Sequence, residues 1–159
     1  MRNIFVISDT HFGHANIIKY CNRPFSTSDE MTSTLVENWN KVVKDGDIVY
    51  HLGDVYLGAA GQVLHALNGH KRLVLGNHDN GKDQYLQRYF QKILAWRMFP
   101  EFGLLLTHVP VHDGTFSEKV QRNVHGHIHQ KIIPDKRYRN VSVEQTNYTP
   151  IPIEDLRVK

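Results

Sequence analysis

Apolar residues along this chain come in two periods, and the switch between them outlines the fold. Ile4-Phe5-Val6-Ile7 is an unbroken β-branched and aromatic run, the pattern of a strand buried on both faces, and it ends at Ser8-Asp9. Met31, Leu35, Trp39 and Val42 then recur at helical spacing behind Thr27 and Glu30, a capping-box pair, which predicts an amphipathic helix ending near Asp45-Gly46. Ile48-Val49-Tyr50 reads as a second strand that delivers Leu52-Gly53-Asp54. Val63, Leu64 and Leu67 suggest a short helix stopped by Asn68-Gly69, and Arg72-Leu73-Val74-Leu75 is a third strand running into Gly76-Asn77-His78-Asp79. Strands alternating with helices imply right-handed crossovers and parallel pairing, which collects the loops at the carboxyl ends of the strands. Later runs, Ile93 to Phe99, Leu104-Leu105-Leu106 and Val141-Ser142-Val143, are short and closely connected, so antiparallel pairs are expected there. Pro150-Ile151-Pro152 predicts a terminal helical turn at most.

Composition changes this picture little. The 159 residues predict one domain, 1–159, able to bury a core without disulfides, and the 40% hydrophobic and 22% charged shares are those of a soluble globular chain. No apolar run approaches the ~18 residues that would span a bilayer, and the apolar stretch after Met1 is too short for a signal peptide. No membrane partner is therefore expected. Cys21 has no second cysteine to pair with, which fits a reducing cytoplasm. A net charge of +3 is compatible with an anionic substrate but is far from a nucleic-acid-binding stripe.

Chemistry concentrates in five short blocks. Asp9-x-His11, Gly53-Asp54, Gly76-Asn77-His78-Asp79, Thr107-His108 and His127-x-His129 all look like strand-end loops. Asp-x-His and Gly-Asp alone are weak signals, since each also occurs in ordinary turns. The histidine pair after Gly126 is the strongest single one. Together the blocks would place seven N and O donors around one point, more than one divalent ion uses, so they point to two metals. Paired metals held by imidazole and carboxylate are standard apparatus for hydrolysing phosphate esters, because they generate hydroxide near neutral pH and neutralise charge on phosphorus.

The order of these blocks resembles that of the calcineurin-like metallophosphoesterase superfamily, and all five are present from residue 9 to residue 129. The resemblance implies an α/β four-layered sandwich of two mixed β-sheets flanked by helices, with no cap domain in so short a chain. It further implies that Asp9, His11 and His129 hold one metal, that Asn77, His108 and His127 hold the other, and that Asp54 bridges them. His78 would face the substrate, and Asp79 would orient its imidazole. The implied activity is that of a dinuclear phosphohydrolase in which a metal-bridging hydroxide attacks phosphorus in line. Phosphodiester cleavage is the leading expectation. A nuclease or a phosphomonoesterase is the alternative, and a non-enzymatic scaffold comes third. Manganese is the first choice of metal, with iron, zinc, nickel or cobalt also suited to the donors.

Several other residues lie near these blocks. His14, Asn16 and Arg23 follow the first motif closely and are candidates for substrate binding, Arg23 through a planar fork matched to phosphate oxygens, although a structural salt bridge is its rival role. His51 reads as a structural histidine, His65 and His70 as surface residues, and His112 and His125 as neighbours of ligands. Trp39 and Trp96 are assigned to the core or a packed edge. Lys131, Lys136, Arg137 and Arg139 form a basic cluster that either guides a polyanion or is simply solvated.

Overall fold

Alternation within three parallel strands sets the layers. The computed structural model describes residues 2–158; Met1 and Lys159, the ends of the expected domain, lie outside that range. In β1 (Ile4–Ile7), β2 (Ile48–His51) and β3 (His70–Val74), successive side chains leave opposite faces. Phe5, Ile7, Val49 and Leu73 enter a cluster with Met31, Leu35 and Trp39. Val6, Tyr50 and Val74 enter a second cluster with Leu104, Leu106 and Val124. The first sheet is thus buried on both faces, by helices on one side and by a second sheet on the other.

That first sheet has the order β4-β3-β2-β1-β9, with β4 at Lys92–Leu94 and β9 at Ile151–Pro152. All its pairs are parallel except β9 against β1. The second sheet, β5-β6-β7-β8, comprises Arg97–Phe99, Leu104–Leu106, Arg122–His125 and Tyr138–Asn140. Both sheets are mixed. Three α-helices, α1 (Ala15–Tyr20), α2 (Ser28–Val42) and α3 (Gln84–Tyr89), bury Ile17, Met31, Leu35, Trp39 and Leu86 against the first sheet. On the second sheet the segment after β6 supplies the covering layer, with Val111 N–H donating to Asn123 and Tyr138 Oη donating to Val111 O.

Helix α2 forms as its pattern predicts. Thr27 Oγ1 accepts from Glu30 N–H, and Met31, Leu35 and Trp39 line the buried face. Removing Trp39 by mutation to alanine would cost about 3–5 kcal/mol, because the cavity could not collapse. Other expectations are corrected. The second short helix is a 3-10 helix, Gly58–Ala66, whose Gly58 and Gly61 weaken α-helical propensity. Ala15–Tyr20, for which the pattern predicts no element, is helical. Only β5–β6 is antiparallel in the second sheet; β6–β7 and β7–β8 are parallel, because the long connections after β6 and β7 let the chain return to the same end. The run from Ile93 to Phe99 is split between the sheets. Val141-Ser142-Val143 is no separate strand, since Ser142 bridges to Ser8 and joins the two sheets at their carboxyl edge. Pro150-Ile151-Pro152 ends in an edge strand, where Pro152 is tolerated, and a turn at Ile153–Asp155 follows.

Candidate metal centre

Because β1, β2 and β3 run parallel, as do β6 and β7, their carboxyl ends present Asp9, Asp54, Asn77, His108 and His127 along one edge. The loops after β1 and β2 continue to pair, with Asp9 N–H donating to Gly53 O at 2.9 Å and His11 N–H to Asp54 O at 3.1 Å. Asp9, His11, Asp54, His127 and His129 all adopt positive φ, between 49° and 70°. Non-glycine residues enter this left-handed region only where surrounding contacts hold them, and such strain collects at functional sites. Gly126 permits the closest approach: a Cβ there would collide with Asp9 Oδ2 and Ser8 Oγ.

Two groups of ligand atoms result. Asp9, His11 and His129 form one, and Asp54, His108 and His127 the other, each with its donor atoms within 4.8 Å of one another. Asn77 Oδ1 joins the second, 2.9 Å from His108 Nε2. Asp54 Oδ2 lies 3.6 Å from His11 Nε2 and 3.4 Å from His108 Nε2, so one carboxylate oxygen faces both groups. Supporting contacts aim these atoms. Asp9 Oδ2 accepts from Ser8 Oγ, Ser142 Oγ and His127 N–H, which leaves Oδ1 for the site. Asp54 Oδ1 accepts from His78 N–H. His108 Nδ1 donates to Leu52 O at 2.7 Å and His129 Nδ1 to Glu144 Oε1 at 3.0 Å, turning each Nε2 inward.

Electrostatics agree with this division. Burial alone would raise the Asp9 carboxyl, but the His11 imidazole 3.9 Å away, the charges of His108 and His129 and the Ser8 hydroxyl outweigh it and hold the group far below the usual carboxylate range. At Asp54 burial is likewise overcome, chiefly by His108, and the group stays ionised. Burial works to lower His108 and His129, but Asp54 and Glu144 respectively draw them up. The decisive observation is that Asp9 Oδ1 and His11 Nε2 are buried with no hydrogen-bond partner. Left so, each would cost about 1–3 kcal/mol. A divalent cation would satisfy both, and this N and O donor set fits one.

Not every candidate is placed as expected. His78 is exposed and lines a cleft of about 450 Å³ with His11, His14, His127, His129 and Lys131. Asp79 is not directed at it: its two oxygens accept from the backbone N–H groups of Asp54, Val55 and Gly76, clamping one ligand loop to another. His14 does reach the site, its Nδ1 3.1 Å from His11 Nδ1. Asn16 instead faces a separate surface hollow beside Ser28 and Leu57. Arg23 is also corrected. It is buried, donating to Asp9 O and Thr10 O and pairing with Glu144 at 2.8 Å, so its fork grips protein and has no face toward a substrate. Glu144, which sequence reasoning missed, links Arg23 to His129; only its place in a polar stretch after Val143 could have drawn attention to it.

The neighbours are settled similarly. His51 is a satisfied core residue between Thr10 and Gly53 N–H. His125 is buried beside the ligands with Nδ1 on Gly126 O, whereas His112 is exposed. Trp39 is in the core, but Trp96 is more than half exposed.

The model of the calcineurin-like phosphoesterase superfamily domain matches residues 1–146. The chain belongs to this superfamily. An uncharacterized protein of Methanocaldococcus jannaschii is 41% identical to this calcineurin-like chain over all of it and 91% of its own length. The gene 66 protein of Mycobacterium phage L5 is 30% identical, with 84% of this chain and 80% of that one covered. The crystal structure of a protein of unknown function from Aquifex aeolicus shares the fold, with a TM-score of 0.81 and 28% identity over 98% of both chains. Membership makes phosphate-ester hydrolysis the family's chemistry, and the ligand groups of this calcineurin-like domain fit divalent metals. Among the described residues no helix is long and apolar enough to cross a membrane.

Proposed function

We propose that the protein is a dinuclear metal-dependent phosphodiesterase. The observation that carries this reading is the shared Asp54 Oδ2, set between two ligand groups, in the first of which Asp9 Oδ1 and His11 Nε2 are buried without a partner. Asp9, His11 and His129 would hold one ion, Asn77, His108 and His127 the other, and Asp54 both. When bound, such ions supply Lewis acidity for phosphoryl oxygens and a nucleophile from water near neutral pH. The chain's own groups do the rest. Asp54 Oδ1 holds the His78 backbone at 2.9 Å, so the imidazole stands over the cleft, where it protonates the leaving oxygen or holds a phosphoryl oxygen. Asp79 keeps the loops of Asp54 and Asn77 in register. Lys131 favours an anion in that cleft.

Manganese is the first metal to test. A small-molecule diester is preferred over a nucleic-acid polymer because Arg137, the centre of the basic cluster, is committed to Asp135 at 2.7 Å. The test is to strip the protein with a chelator, reload it with manganese, and assay bis(4-nitrophenyl) phosphate, a monoester and single-stranded DNA in parallel. Metal-dependent turnover with the diester fastest is expected. Undiminished activity after exhaustive chelation would reject the reading.

A further inference from the structure

A second cavity, of about 610 Å³, begins where the second ligand group ends, since Asn77 and His108 form part of its wall. Its character is the reverse of the histidine cleft. The remaining wall is built from Trp96, Met98, Leu105, Val109, Val111 and Val120, and among the described residues no Asp, Glu, Lys or Arg lines it. Two segments create it. Ala95-Trp96 carries the chain from β4 in one sheet to β5 in the other, and the loop after β6 leaves His108 through Val109 to Val111. Trp96 is 56% exposed and Val109 47%. Apolar surface left open in this way beside polar chemistry marks a binding face. Two of its polar groups are already occupied, Thr107 Oγ1 donating to Val109 O and His108 Nδ1 to Leu52 O, and Thr115 brings the other hydroxyl to its wall. The cavity therefore offers a flat indole and aliphatic walls, with little to read a hydrogen-bonding pattern. Its volume falls in the roughly 300–1,000 Å³ range of small-molecule sites.

Resting on the phosphodiesterase reading, we infer that this groove holds the uncharged aromatic group of an aryl-bearing phosphodiester, stacked on Trp96, while the phosphate lies at the metal ligands. The occupant is set by continuity. An occupant that reaches the Asn77 and His108 end of the groove stands beside the candidate metal ligands, where the phosphate of the same molecule would lie, and the uncharged wall offers nothing to a second phosphate. An aromatic ring gains more than an alkyl chain of equal area from the indole face.

The test compares two esters with one leaving group, bis(4-nitrophenyl) phosphate and methyl 4-nitrophenyl phosphate, on the metal-loaded protein. The ratio of their kcat/KM values is measured for the wild type, Trp96→Ala and Trp96→Phe. Alanine is expected to lower the aryl-to-methyl ratio about tenfold, and phenylalanine to keep most of it. In parallel, calorimetry measures the affinity of diphenylphosphinate, which has no ester bond to cleave; the alanine variant is expected to bind it about tenfold more weakly. An unchanged ratio and affinity in Trp96→Ala overturn the proposal. So does a wild-type dimer in sedimentation that Trp96→Ala dissociates, since a second copy would then cover the groove. If the wild type turns over neither ester, the phosphodiesterase reading fails, and the phosphinate measurement alone decides whether the groove holds an aromatic group.

Discussion

The two ligand groups differ in how they are held. In the first, Asp9 is fully buried, its Oδ2 carries three hydrogen bonds, His129 leans on Glu144, and Glu144 leans on Arg23. In the second, Asn77 and His127 are exposed, His108 rests on a neutral carbonyl, and both cavities open beside it. A ligand set fixed by burial and ionic contacts is preorganised for its ion. A set with exposed members exchanges more freely and is where substrate has access. The first group should therefore hold its metal more tightly than the second.

Asp54 belongs to both groups, so its loss is the harshest way to erase the comparison. Asp54→Ala should release both ions and abolish turnover, whereas His78→Ala should lower turnover by about 10²–10⁴ while metal content stays near that of the wild type. Metal analysis alongside kinetics separates the two, and equal loss of metal in both variants would contradict the role given to His78.

Glu144→Gln tests the asymmetry itself. Removing the carboxylate behind His129 should weaken the tighter ion by about 10–100-fold and leave the looser one alone, while Asn77→Ala should do the opposite. Stepwise chelator titration reads the two affinities, and identical profiles for both variants would mean that the sites are not distinct.

A smaller effect comes from what supports the second motif. His51 is fully buried and neutral, accepting at Nδ1 from Gly53 N–H and hydrogen-bonded through Nε2 to Thr10, and burial pushes its pKa down from 6.5 to about 3. The unfolded chain gains this proton below pH 6.5 and the folded chain does not until about pH 3. Stability is therefore complete above that window and falls as pH drops through it, by up to about 1.4 kcal/mol per pH unit. Urea unfolding of the metal-free protein between pH 7 and 4.5 should show this slope, and His51→Asn should flatten it.

The least effect is expected at Cys21. Burial, followed by the charge of Glu144, pushes its thiol up to about 12, so it offers no thiolate to the cleft it lines. Cys21→Ser should leave turnover and metal dependence unchanged; a phosphocysteine trapped in the wild type would contradict this.

The candidate ligands Asp9, Asp54, Asn77 and His108 were legible because each stands just past an apolar run or beside a glycine. Asp9, Asp54 and Asn77 could be placed at strand tips from local pattern alone. Strand β7 could not, because Asn123 and His125 are buried polar residues whose partners, Leu105 O, Thr107 and Gly126 O, give no hydrophobic signal. Arg23 was misread for a related reason. Its partner Glu144 is 121 residues away, and nothing near Arg23 in the chain indicates which way a guanidinium turns.

By itself, then, the sequence determined the strands and the long helix of the first half, which residues are candidate donors, and in what order, since periodicity and side-chain chemistry are local properties. Tertiary structure alone decided the direction of pairing in the second sheet, the clamp made by Asp79, the turning inward of Arg23, and the apolar groove beside the second ligand group. Each of these depends on hydrogen bonds and contacts between segments far apart in the chain, and a residue's burial pattern records that it has a neighbour without recording which one.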